Sequence, residues 1–209
     1  MKIIFLLIFS ALYQSIYCQD YSFDYMLEYE DVKNGYSSFL LINQKNDSYI
    51  LKTSEGSQDI YGTIRDSKND ISHEYDLKNV DTDLQFNYLY SRKYNAHTKN
   101  TFFFEISEVD IDSTKKEVRI LVYKNEKRKK LLRKIEVILD LSVEFACEKI
   151  MNYYTHGTFA NSTLKISKGI PLILKVDYMN GFTYELKLVK KQIINTVLSI
   201  SKKQMKFIK

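Results

Sequence analysis

The sequence has one proline, six glycines, two cysteines and no tryptophan in 209 residues, and each shortage closes off a class of structure. So little proline and glycine excludes collagen-like and low-complexity chains, and 44% hydrophobic with 27% charged residues excludes disorder. Two cysteines cannot supply the disulfide framework of a small secreted scaffold, so the fold must hold by its core. Arginine is scarce: five against 26 lysines. The formal charge of +5 therefore rests on hydrated ammonium groups rather than on the guanidinium forks that grip phosphate, and no nucleic-acid partner is expected.

Catalytic patterns are also missing. Neither H-E-x-x-H nor G-x-S-x-G occurs, and no glycine loop could cradle a phosphate. Of three histidines, His73 and His97 sit in polar neighbourhoods and read as surface residues, while His156 follows Tyr153 and Tyr154 at a helix end, where the dipole favours a cation. Asp110, Asp112, Ser113 and Thr114 resemble the start of a calcium loop, but Lys115 stands where the sixth-place glycine belongs and Glu117 comes too early for the closing ligand; a hairpin tip fits better. The acids Asp20, Asp24, Glu28, Glu30 and Asp31 read as the solvated outer face of one strand rather than as paired glycosidase carboxylates. The expectation is a non-enzymatic protein with no metal and no cofactor.

A compartment is legible. Residues 1–18 have a one-charge start at Lys2, an unbroken apolar run from Ile3 to Leu12 and a more polar end, the form of a secretory signal peptide. The run is too short to span a bilayer, and no later uncharged stretch approaches the roughly 18 residues a spanning helix needs. Two processing routes stay open: lipidation of Cys18, against which Tyr17 is bulky, or cleavage after Cys18, which exposes Gln19 to cyclisation and removes Lys2. Either way the protein is expected to be exported: periplasmic, outer-membrane-associated or extracellular. Cys147, left alone among Phe145, Ala146 and Ile150, reads as a buried small hydrophobe.

Alternation with period two recurs along the mature chain. In Tyr21 to Glu30, Tyr21, Phe23, Tyr25, Leu27 and Tyr29 share one face and Ser22, Asp24, Glu28 and Glu30 the other. Leu84 to Lys93 and Phe182 to Lys190 repeat the pattern, and further strands are predicted at 37–43, 48–53, 60–66, 71–77, 102–109, 117–124, 133–141, 163–167, 172–178 and 193–200. Short connections imply antiparallel neighbours. Pairing Leu41 with Leu51 sets Asn43 opposite Tyr49 around a Lys45, Asn46, Asp47 tip. A loop of Met179, Asn180 and Gly181 pairs Val176 with Tyr184 and Leu174 with Leu186, and gives Gly181 the left-handed position. Val143, Ala146, Cys147, Ile150 and Tyr154 instead recur at helical spacing, with Ser142 as N-cap and Gly157 as stop. The predicted fold is mainly β: residues 19–200 as a single antiparallel, curved sheet or open barrel with one short covering helix, then a basic tail at 201–209.

Lys124, Lys127, Arg128, Lys129, Lys130, Arg133 and Lys134 face a single acid, Glu126, and form the densest charge feature. The run joins two strands, so it reads first as a projecting hairpin tip that discourages edge pairing, and alternatively as a patch for an anionic surface. Seventeen tyrosines mostly report packing, with a minority available to line a groove.

The opening Tyr21 to Tyr29, the hairpin Leu40 to Tyr49, the run Val122 to Lys130 and the closing Phe182 to Lys187 resemble uncharacterised exported proteins of flavobacteria, a group with no assigned activity to carry over. Lys168 to Lys175 followed by a hairpin is similar to the end of periplasmic half-barrels related to lipoprotein carriers. That resemblance implies a curved sheet whose apolar concave face is closed by helical cover. The functional expectation is an exported protein that binds an apolar or amphipathic ligand in a β-sheet groove, with lipid, lipoprotein or another envelope protein as the partner classes. The alternative is an interaction module acting through sheet edges and the basic tip.

Overall fold

The computed structural model describes residues 18–55, 60–80, 83–93, 102–155, 157–159, 164–205 and 207–208. Residues 1–17 of the expected leader, His97, His156 and residue 163 lie outside the described residues. The alternating segments form strands β1 (Cys18–Asp31), β2 (Ser37–Asn43), β3 (Asn46–Glu55), β4 (Ile60–Asp66), β5 (Ile71–Val80) and β6 (Asp83–Lys93). They continue as β7 (Phe103–Asp110), β8 (Lys115–Tyr123), β9 (Leu131–Asp140), helix α1 (Cys147–Tyr154), β10 (Ile170–Asp177) and β11 (Thr183–Ser201).

All eleven strands join one antiparallel sheet in the order β6-β5-β4-β3-β2-β1-β11-β10-β9-β8-β7. The chain meanders from β1 out to β6, resumes at the far edge with β7, and meanders back until β11 pairs with β1. First and last strands are thus the central pair. The sheet does not close, and β6 and β7 are its edges. Phe207 forms a short parallel bridge with Ser91 on β6, where the Ile208 amide donates to the Ser91 carbonyl at 3.0 Å.

Two hydrophobic cores lie on opposite faces of the sheet. Leu40 and Ile42 belong to the core under α1, with Val118, Ile120, Ile135, Val137 and Leu174; Leu41 between them belongs to a second core with Leu51, Ile64, Tyr75 and Leu77. Neighbouring residues of a strand point to opposite faces, so the two cores are separated by the sheet itself. Yet on β1 residues of one parity feed both: Tyr21 and Phe23 enter the second core, Leu27 and Tyr29 the first. Strand β1 must therefore swing across the sheet between Phe23 and Leu27. Its pairing fits this: β2 pairs only with Tyr25 to Glu30, while Cys18 to Phe23 stay paired with β11, and the β1–β11 register shifts between Phe23 and Tyr25. The resulting two-stranded ribbon covers β3–β6, with Tyr21 reaching Asp66 on β4 and the Ser22 amide donating to the Tyr49 hydroxyl. Each fully buried Leu, Ile or Phe in these cores contributes about 1.5–3 kcal/mol.

Several details depart from the sequence prediction. The helix begins at Cys147, not near Val143: Val143 and Phe145 precede it outside any helix and are both buried, with exposed Glu144 between them, and Ala146 takes the N-cap position in an extended conformation without a side-chain cap. Ser142 serves the turn after β9, its amide donating to Asp140. Residues 164–167 are not a strand, and the two strands predicted over 182–200 are one, β11, whose irregularities at its pairing with β1 bend it without ending it. At the β2–β3 hairpin Leu41 does oppose Leu51, but Asn43 opposes Asn46 around a Gln44–Lys45 turn. Asx contacts from Asn43 and Asn46 and acceptance of the Gln44 amide by Asp24 fix that tighter tip. The β10–β11 hairpin has the predicted register, with Gly181 at φ 88°. Asp31 belongs to the buried parity, not to the acidic outer face; its carboxylate accepts the Lys33 and Asn34 amides and turns the chain into β2.

Candidate functional site

Three features gather chemistry-bearing side chains. The first is a buried polar chain in the ribbon-covered core. His73 is completely buried, contrary to its expected place on the surface. The reason is the pleat of β5, which puts Ile71, His73, Tyr75 and Leu77 on one side; that period was visible in the sequence. Tyr21 donates to Asp66 Oδ2 at 2.9 Å and its oxygen lies 2.9 Å from His73 Nε2; His73 Nδ1 lies 2.6 Å from Ser91 Oγ, which lies 2.7 Å from the Tyr88 hydroxyl. A carboxylate has no proton to give, so the one Tyr21 proton goes to Asp66. His73 must then donate from Nε2 to Tyr21, and its bare Nδ1 accepts from Ser91, which accepts from Tyr88. Every donor and acceptor is used in one direction, with a neutral imidazole. Desolvation lowers the His73 pKa to about 4 even though Asp66 and Glu74 pull it upward. Gln19 and Asn69 complete the shell of Asp66 Oδ2. A serine, a histidine and an acid meet here, but Ser91 and His73 are both sealed from solvent, so no substrate carbonyl can reach the hydroxyl.

The second feature is a cleft of about 320 Å³ between β2, β3, β11 and the end of α1, lined by Tyr36, Ser38, Lys52, Tyr154, Tyr184 and Leu186 among others. Lys52 projects from β3 on the helix-covered face, its Nζ 4.4 Å from the Tyr154 ring centroid; Arg65 on β4 stacks on Tyr153 at 4.9 Å. These cations meet the last two helical residues, where the backbone dipole is negative, so they also hold α1 to the sheet. Desolvation, helped by the Arg65 charge, lowers the Lys52 pKa to about 8. Among the described residues no carboxylate lies within ion-pair distance of Lys52; Asp31 lines the same cleft but spends its oxygens on the β1–β2 turn. Ser38 and the Tyr154 hydroxyl, 2.8 Å apart, add polar groups beside it. Nothing in the sequence marked Lys52, because its cleft is made by elements more than a hundred residues apart.

The third feature is the basic run. The run predicted as a hairpin tip is one over residues 124–130, the exposed turn between β8 and β9, whereas Arg133 and Lys134 lie within β9. The structure divides the seven cations. Lys124, Lys127, Lys129 and Lys130 are exposed and carry no ion pair among the described residues, whereas Arg128 pairs with Glu105 at 3.3 Å and Lys134 with Glu136 at 3.0 Å. Arg133 lies over the rings of Phe102 and Tyr178 and donates to Thr158.

Elsewhere, Asp112 caps the β7–β8 turn through Thr114, and among the described residues no group of three His, Cys, Asp or Glu side chains could hold a metal ion. Cys147 is buried, its thiol pushed far up by desolvation and its Sγ against the Ser167 carbonyl at 3.3 Å, so it is not a nucleophile. No helix among the described residues is long and apolar enough to cross a membrane. No protein-family model matches this chain, and no curated protein matches it.

Proposed function

We propose that the protein is an exported, non-enzymatic binding protein whose tyrosine-lined cleft takes a small amphipathic anion. The observation that carries this reading is Lys52: a half-buried ammonium without a carboxylate partner among the described residues, set beside apolar walls from Tyr154, Tyr184 and Leu186. A ligand anion would supply the missing partner, and its apolar body would replace water against the rings. A volume near the lower end of ligand pockets, about 300 Å³, suits a short-chain amphiphile rather than a whole phospholipid. Sealing of Ser91 and His73 supports the non-enzymatic side. The leader-like residues 1–18 support export.

Calorimetric titration with octanoate tests it. Lys52 is charged below its pKa of about 8 and neutral above, so affinity should fall as pH rises through that value. Binding near pH 8 should take up protons, seen as a buffer-dependent heat. The Lys52→Met variant, which keeps the apolar stem, should lose at least about tenfold in affinity, one charge-assisted contact. Equal binding by the variant, or none by the natural protein, would refute the reading.

A further inference from the structure

We infer that one end of the sheet is a docking surface for an anionic phospholipid bilayer. Three hairpin tips share that end: β1–β2, β10–β11 and β8–β9. The register requires it, since Asp31 opposes Leu186, Asp177 opposes Lys134 and Tyr123 opposes Leu131. Successive tips are two strands apart, so together they span about 20 Å.

The tips are tied to one another. The Val32 amide donates to the Glu185 carbonyl, Lys33 Nζ sits 5.9 Å from the Phe182 ring centroid, and Arg133 packs on Tyr178. They carry the large apolar side chains Val32 (53% exposed), Tyr36 (72%), Met179 (50%) and Phe182 (50%), all four in the connections between strands and none in either core. Beside these stand Lys124, Lys127, Lys129 and Lys130 of the β8–β9 tip, exposed and without an ion pair among the described residues, with Glu126 as the acid within that turn.

An apolar cluster alone would name no occupant. Its combination with a rim of flexible ammonium groups does: apolar side chains enter the acyl boundary while lysine heads meet lipid phosphates, and compact point charges suit a fluid anionic surface better than a fixed bidentate site. The sequence displayed only the basic tip. Tertiary structure adds the apolar tips beside it. This inference does not depend on the cleft, whose ligand can be absent without affecting it.

The absence of tryptophan makes the test direct, because Phe182→Trp becomes the sole tryptophan reporter. On vesicles of phosphatidylcholine containing phosphatidylglycerol, its emission should shift to the blue and be quenched by brominated acyl chains; on pure phosphatidylcholine it should not. Co-sedimentation of the natural protein should weaken with salt. Replacing Lys127, Lys129 and Lys130 by glutamate should lower partitioning by at least about a hundredfold, roughly fivefold per lysine, with the far-ultraviolet circular dichroism unchanged. Retention by the triple variant, equal binding to both vesicle types, or binding without a blue shift of Trp emission would each overturn the inference. Should the triple variant lose its fold, the Phe182→Trp shift and its lipid dependence still decide.

Discussion

Acidification from pH 7 to pH 5 should destabilise this protein through one residue, His73. In the folded state its imidazole is neutral with a pKa near 4, whereas in the unfolded chain it returns to 6.5. The folded pKa is the lower one, so the unfolded state binds the extra proton between these values. The stability associated with the neutral ring is fully present above pH 6.5 and is lost as pH falls toward 4. At about 1.4 kcal/mol per pH unit, the loss is about 2 kcal/mol at pH 5 and approaches roughly 3 kcal/mol at pH 4. Urea unfolding of the natural protein and of His73→Gln at pH 7, 6 and 5 measures it: carboxylates titrate in both, so the difference in slope isolates the histidine. Nitrogen shifts of the ring should independently show the neutral form protonated at Nε2. If the natural protein gains stability relative to His73→Gln on acidification, His73 is a cation drawn to Asp66 through Tyr21, and the direction assigned to the whole polar chain is wrong.

Further outcomes follow from the same region. Tyr21→Phe removes a donor to Asp66 and strands the His73 Nε2 proton in a dry core, which should cost about 2–4 kcal/mol in urea unfolding; Tyr75→Phe, whose hydroxyl is buried with no hydrogen-bond partner among the described residues, should be neutral or stabilising by about 1 kcal/mol. Equal effects of the two would show that the chain is not a hydrogen-bonded unit. Mass spectrometry of the exported protein should find an N-terminus at Gln19, and cyclisation there consumes the amide that donates to Asp66, so the cyclised form should be less stable than the uncyclised one by about 1 kcal/mol in urea unfolding. A mature mass that retains Met1 would exclude that processing.

How far the sequence reached depends on the range of the interaction involved. The β10–β11 hairpin was readable to the residue because Gly181 and the alternation of Leu174, Val176, Tyr184 and Leu186 are local and agree with each other. The β2–β3 tip was not, since Asp24 on a third strand accepts the Gln44 amide and helps settle the turn. The early start predicted for α1 has a similar origin: Val143 stands at helical spacing from Ala146 and Cys147 but also at strand spacing from Phe145, and the Phe145 carbonyl is taken by the amide of distant Gly169 rather than by a helix. For the candidate sites, the basic tip was evident from composition. Lys52 and the burial of His73 were not drawn from it, the first because its cleft is assembled from distant elements, the second because polar neighbours on the opposite pleat obscured the parity of Ile71, Tyr75 and Leu77.

Period-two alternation by itself determined that this chain makes strands and which residues share a pleat, because strand geometry couples side-chain direction to sequence parity, and the short connections made neighbouring strands antiparallel. It could not say what covers each side. Tertiary structure decided that β1 pairs with β11, that Tyr21 and Phe23 pack in one core while Leu27 and Tyr29 of the same parity pack in another, and that three hairpin tips meet at one end. Those outcomes depend on where a strand bends and which distant strand it meets, and the free energy that selects them is buried area summed over both partners, a quantity no single segment contains.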